Sequence, residues 1–183
     1  MLWFSHAAAG YLIAKAFLHL SPLSLSASQE NVLITLGILF ALLPDLDFIP
    51  FFLKHGSMNL QKNESHRVQW SHAPLPWLLL SLIIIEISYL LNASLMLATG
   101  ILLFLCLLSH FLGDSIEYGV MWLWPFSKKQ FYLHKARGTE PLSKKEGVIS
   151  YYWKFFTRVY AKNWMLWIDI VVILAALVVF FVS

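Results

Sequence analysis

The sequence predicts an all-α, polytopic membrane helix bundle of about five spans. Three observations carry that reading. Of the 183 residues, 59% are hydrophobic and only 13% are charged, whereas soluble domains are nearer one quarter charged. Five apolar runs approach the roughly 20 residues needed to cross a hydrocarbon core. Finally, apart from Lys15, the Lys and Arg residues all fall between alternate pairs of those runs.

The runs lie at about 2–20, 31–50, 74–92, 95–114 and 164–182. Residues 1–183 are short enough to form a single membrane-embedded domain. It divides into a four-span core (1–114), a cytoplasmic and interfacial segment (115–163) and a last span (164–182). The first run has no basic leader region and carries Lys15 inside it, which predicts a retained helix and not a cleaved signal. Its Ala7, Ala8, Ala9 and Gly10 are small enough to let a second helix approach, so His6 can face a neighbour instead of lipid. The second run is interrupted by Pro44, Asp45, Asp47 and Pro50. The third is preceded by SHRVQWSHAPL, with His66, Arg67 and His72. The fourth ends in LCLLSHFLGDSIEYG, where His110, Asp114 and Glu117 sit three and four residues apart and share one helix face.

The segment from 115 to 163 mixes Trp, Tyr and Phe with Lys and Arg, as in MWLWPFSKKQFYLHKAR and VISYYWKFFTRVYAK. That mixture predicts interfacial amphipathic helices against anionic membrane lipid, with turns at Pro125, Gly138 and Pro141. No nucleic-acid partner is predicted, and the oligomeric state is left open. In the last run Asp169 lies shallow, between Trp167 and Val171, and reads as interfacial, with a site-facing position as the alternative.

Orientation follows from the basic residues. Residues 21–30, the 92–94 turn and the C-terminal end have none. Lys54, Lys62 and Arg67 lie between the second and third runs, and Lys128, Lys129, Lys135, Arg137, Lys144, Lys145, Lys154, Arg158 and Lys162 between the fourth and fifth. The positive-inside rule makes those segments cytoplasmic, with the N-terminus inside and the C-terminus outside. On that topology His6, Asp45, Asp47, His66, His72, His110 and Asp114 all occupy cytoplasmic helix ends. Four separate elements thus bring imidazoles and carboxylates to one membrane face. The competing reading is a set of polar caps where helices meet water.

Cys106 is the only cysteine, which excludes an intrachain disulfide and a cysteine-based zinc site. A metal here must be held by imidazole and carboxylate, a donor set suited to zinc, manganese or iron. Four histidines of the cytoplasmic face, His6, His66, His72 and His110, are each preceded by serine. Lys15 and Glu86 both lie about 20 Å into their runs, and an isolated charge at that depth is expensive, so a Lys15–Glu86 pair is expected.

The motifs SHAAAGYLIAK, LLPDLDFIP, HRVQWSH and LSHFLGDSIEYGVMWLWPFS, in this order over about residues 5–132, resemble the YdjM-like family of bacterial inner-membrane proteins. Those proteins are described as membrane-bound metal-dependent hydrolases. The chain departs from the family at Val68, where a glycine or similar residue is typical, and at Ser71-His72, where the family reads His-Ser. A weaker likeness is to zinc-dependent phospholipase C and the S1/P1 nucleases, all-helical enzymes with ligands in the order His, Asp, His, then His-x-x-x-Asp. His6, Asp45 or Asp47, His66, and His110 with Asp114 follow that order. Those enzymes also use the amine of a mature N-terminal Trp and a second His-x-x-x-Glu, which this chain does not offer.

Motifs and resemblances together lead us to expect a membrane-bound metal-dependent hydrolase with its site at the cytoplasmic interface of the bacterial inner membrane. The expected substrate is a phosphoester, with a lipid favoured. His6, Asp45, Asp47, His66, His110 and Asp114 are the candidate metal ligands, and Asp45 or Asp47 the catalytic base. Arg67 and His72 are expected to contact substrate. Glu117 is a ligand, a support for one, or the first residue to meet water. Zinc is the first choice of divalent ion, with manganese and iron as alternatives and the number of ions open. The competing function is a non-enzymatic metal-binding, transport or structural membrane protein. A transporter needs ionisable residues along a path through the bilayer, and only Lys15 and Glu86, of opposite sign, lie deep.

Overall fold

The computed structural model describes all residues except 48, 51–52, 54–68, 118, 135–149, 151–152, 155, 158–159 and 183. Five long α-helices follow the apolar runs: α1 (Trp3–Leu20), α2 (Ala27–Leu42), α3 (Pro74–Leu90), α4 (Ser94–Ser115) and α5 (Met165–Val182). Among the described residues there is no strand, only an isolated bridge between Val120 and Phe131. Three segments are long and apolar enough to cross a membrane: Ala27–Asp47, Ser94–Ser115 and Met165–Val182. Pro74–Leu90 is apolar but shorter.

Local chemistry sets the helix ends. Pro22 holds Ser21 extended, at φ −75° and ψ 133°, so α1 stops there. A capping box opens α2: Ser26 Oγ accepts from the Gln29 N–H at 3.3 Å, and Gln29 Oε1 accepts from the Ser26 N–H at 2.9 Å. Before Pro44 the helix tightens into a 3-10 turn, Leu43–Asp47. A second 3-10 turn, Trp70–His72, leads into α3, where Pro74 takes the first helical position. The short turn between α3 and α4 passes through Asn92 at φ 51°.

Helix α4 is the centre of the bundle and the most buried helix. It packs on α1, α2 and α3, while α1 also contacts α2 and α5. The α1–α2 contact is close because both helices present glycine. A Cβ on Gly10 would meet Ala41 Cβ at 2.7 Å, and one on Gly37 would meet Ala14 Cβ at 2.8 Å.

Two expectations change here. Lys15 and Glu86 form no ion pair, because α3 packs against α4 and not principally against α1, and equal depth does not make two helices neighbours. Residues 119–134 are not an amphipathic helix. They fold back on themselves, with Val120 and Phe131 exchanging backbone hydrogen bonds of 2.9 Å, and then join the end of α4 through Leu133 N–H to Ser115 O and His134 N–H to Ile116 O, both 2.8 Å. Pro125 cannot donate within a helix, and Gly119 adopts φ 77°, a left-handed conformation that favours glycine. Aromatic and basic composition thus indicated an interfacial environment without specifying helix. Trp122 anchors the loop, its Nε1–H donating to Ser115 Oγ at 2.7 Å, while Leu123, Phe126 and Leu133 remain exposed.

Candidate metal centre

Alternating helix directions carry the start of α1, the end of α2, the start of α3, the end of α4 and the start of α5 to one end of the bundle. There Asp45, His72, His110 and Asp114 converge, all buried, each offering one ligand atom within 4.8 Å of the others. Asp45 comes from the 3-10 turn that continues α2, and His72 from the turn that precedes α3. These two turns pack together. Trp77 Nε1–H donates to the Ser71 carbonyl at 2.6 Å, and Ser71 Oγ donates to Asp47 Oδ2 at 3.0 Å. His110 and Asp114 come from successive turns of α4.

The hydrogen bonds decide which imidazole nitrogens are free to bind a cation. His110 Nδ1 lies 2.7 Å from the Ala41 carbonyl. A carbonyl can only accept, so Nδ1 carries the proton and Nε2 presents a lone pair. That Nε2 has no hydrogen-bond partner and faces Asp45 Oδ1 at 3.9 Å and Asp114 Oδ2 at 4.0 Å. His72 repeats the pattern: Nδ1 lies 3.3 Å from the Pro44 carbonyl and Nε2 lies 3.1 Å from Asp114 Oδ2. A neutral imidazole has one donor, so both contacts cannot be hydrogen bonds unless the ring is charged. A cation between the rings and the carboxylates resolves this conflict. Both Asp45 oxygens are likewise buried without a hydrogen bond, a costly arrangement for a carboxylate with nothing to neutralise it. Two imidazole nitrogens and two carboxylates are a donor set that fits a borderline divalent ion.

The other expected residues take distinct places. His6 lies beside this group. Its ring stacks on His110 with centroids 4.0 Å apart, and its Nε2 is 3.2 Å from Asp114 Oδ1. Asp47 sits one step back, its Oδ2 3.6 Å from His72 Nδ1. His72, expected at the substrate side, is fully buried within the group. Its six-residue separation from His66 left the direction of its ring open in the sequence, and the 3-10 turn before Pro74 points it inward. His66 and Arg67 lie outside the described residues.

Sequence reasoning passed over the Met1 ammonium, which donates to Asp114 Oδ1 at 2.9 Å. It preferred an interfacial place for Asp169 to a site-facing one, whereas Asp169 is 1% exposed and its Oδ2 accepts from the Leu2 N–H at 3.4 Å. The available signal was a carboxylate one turn into the most apolar helix, on the same membrane face as the other acidic residues. Glu117 is buried just beyond α4. Burial pushes its carboxyl above the ordinary 4.5, and the Asn163 side chain and the Met1 ammonium oppose that shift only in part.

The fold and this end of the bundle define a multi-pass membrane protein with a buried His–Asp group able to hold a metal ion. The chain belongs to the YdjM inner membrane protein family, whose model matches residues 1–183, in agreement with the four ordered motifs. No curated protein and no solved structure matches the chain.

Proposed function

We propose that the chain is a membrane-bound metal-dependent hydrolase acting on a phosphoester at the cytoplasmic interface, with a lipid phosphoester the favoured substrate. The observation that carries the reading is the orphaned set of Asp45 Oδ1, Asp45 Oδ2 and His110 Nε2, three buried polar atoms without hydrogen bonds in a group that also holds His72 and Asp114. A bound divalent ion supplies Lewis acidity and lowers the pKa of a coordinated water; zinc suits the donors best, and manganese and iron remain compatible. Asp45, His72, His110 and Asp114 hold the ion, and His6 braces Asp114 and His110. Asp47, adjacent to the group but outside it and oriented by Ser71, accepts a proton during attack. His66 as a further ligand and Arg67 as a phosphate contact, suited to it by the paired donors of a guanidinium, belong to this reading from the sequence alone.

Five spans, with the N-terminus cytoplasmic and the C-terminus outside, are part of this reading. The one-sided basic residues and the alternating helix ends support it. The test is elemental analysis of the purified protein, followed by assay of phosphomonoester and phosphodiester substrates, lipids included, with and without chelator. We expect stoichiometric metal and chelator-sensitive release of product. Metal without turnover across the panel would instead support a non-enzymatic metal-binding protein.

A further inference from the structure

We propose a second cation site beside the His–Asp group, formed by Glu117, Asp169 and Ser5 and suited to a hard divalent ion such as Mg2+ or Mn2+. Three elements converge there: Ser5 from α1, Glu117 from the residues after α4, and Asp169 one turn into α5. All three are buried, at 0%, 4% and 1% exposure. Both Glu117 oxygens, Asp169 Oδ1 and Ser5 Oγ lack hydrogen bonds. Ser5 nevertheless lies beside the Asp169 carboxylate, and Glu117 and Asp169 are close enough to repel each other.

The surroundings make that arrangement expensive. Met1, Tyr160 and Met165 form a buried apolar collar, with Leu2, Ile116 and Ile168 packed against it. An ionised carboxylate buried without a partner is strongly disfavoured by desolvation. The nearby positive charge is the Met1 ammonium, and its hydrogen bond is directed to Asp114. It leaves Asp169 Oδ1 and both Glu117 oxygens without a hydrogen bond of ordinary geometry, the Ser5 hydroxyl and the Asn163 amide being their polar neighbours.

The donor chemistry sets the class of ion. The His–Asp group offers two imidazoles and suits a borderline metal. The second site offers oxygen alone, from two carboxylates and a hydroxyl, which selects hard ions that retain water in their coordination. The two sites are adjacent: the backbone of Met1 and Leu2 donates to Asp114 on one side and to Asp169 on the other.

The inference does not require the hydrolase reading, and one experiment separates the two. Full-length protein, stripped with chelator and reloaded with one equivalent of Zn2+, is titrated with Mn2+, with bound Mn2+ read by electron paramagnetic resonance and total metal by elemental analysis. We expect the zinc-loaded protein to bind one further Mn2+ per chain. Glu117→Gln and Asp169→Asn should each weaken Mn2+ by at least about tenfold and leave zinc in place, whereas His72→Ala should lose zinc and still bind Mn2+. Wild-type protein that takes up no Mn2+ beyond its zinc overturns the proposal, and identifies a proton as what neutralises the carboxylates; this measurement needs no variant to fold. Mn2+ binding unchanged in both carboxylate variants also overturns it. Mn2+ bound through Glu117 in a protein that never takes up zinc would sustain this site while removing the His–Asp reading.

Discussion

Away from the His–Asp group, buried hydroxyls are satisfied by their own helix. Ser81 Oγ donates to the Leu78 carbonyl at 2.8 Å, and Ser88 Oγ donates to the Ile84 carbonyl. At the end that holds the His–Asp group, Asp45, His110, Glu117 and Asp169 are as deeply buried, yet they retain oxygens and a ring nitrogen without a hydrogen bond of ordinary geometry. The same chain therefore solves the polar-burial problem at one level and leaves it open at another. Small hydroxyls can back-bond to a carbonyl one turn away, but a carboxylate cannot accept from a carbonyl. The open atoms of Asp45 and His110 belong to a group brought together from separate elements, one that could hold a metal ion.

The largest expected effect comes from removing the open end directly. His110→Ala with Asp114→Ala should bring zinc content to background and lower any hydrolase rate by at least about 100-fold, read by elemental analysis and by the phosphoester assay. Full metal retention would remove the contrast between the two regions. Removing the ion from the intact protein comes next. An ion present at 100 times its dissociation constant stabilises the native state by about 2.7 kcal/mol, so removing zinc with chelator in Mg2+- and Mn2+-free buffer should lower the melting temperature of the zinc-loaded wild type and leave that of the double variant unchanged.

A substitution in the satisfied region sharpens the comparison from the other side. Gly37→Leu forces a side chain into α1 and should cost about 1–3 kcal/mol by overpacking, with zinc still bound at one equivalent. Loss of metal as complete as in the His110 variant would show that the two regions are not independent. Ser88→Ala should cost about 1 kcal/mol or less and leave metal content untouched, as denaturant melts and elemental analysis would show. The smallest effect is one of pH. Because burial raises the Glu117 carboxyl above 4.5, the metal-free native state holds that proton more tightly than the unfolded chain does. Stability from this group is therefore full below about pH 4.5 and declines as pH rises through the folded value. Glu117→Gln should flatten that part of the stability profile.

Much of this end of the bundle was legible from residue type and helix direction. His6, Asp45, His110 and Asp114 were each placed on one membrane face by the run boundaries and the basic residues. The Gly10 contact was visible as a small-residue stretch, although its partner Gly37 was not. What remained illegible depended on which helices are neighbours. Lys15 and Glu86 match in depth, but depth carries no azimuth. Asp169 joins the site only because α5 packs on α1, a contact that hydropathy does not encode. His72 depended on the pitch of one short turn. The aromatic, basic stretch after α4 reported its surroundings, while Gly119 and Pro125 determined that it doubles back.

The contact between His6 and Asp114 joins residues 108 positions apart. During synthesis at about 5–20 residues per second, the imidazole on α1 therefore spends roughly 5–20 s without the carboxylate that later holds it. Asp45 is made before His72 and His110, so it too waits through the insertion of α3 and α4. The His–Asp group can close only after α4 has passed into place, so an ion held by all four residues would be captured late in biogenesis, and metal content would then record completed assembly.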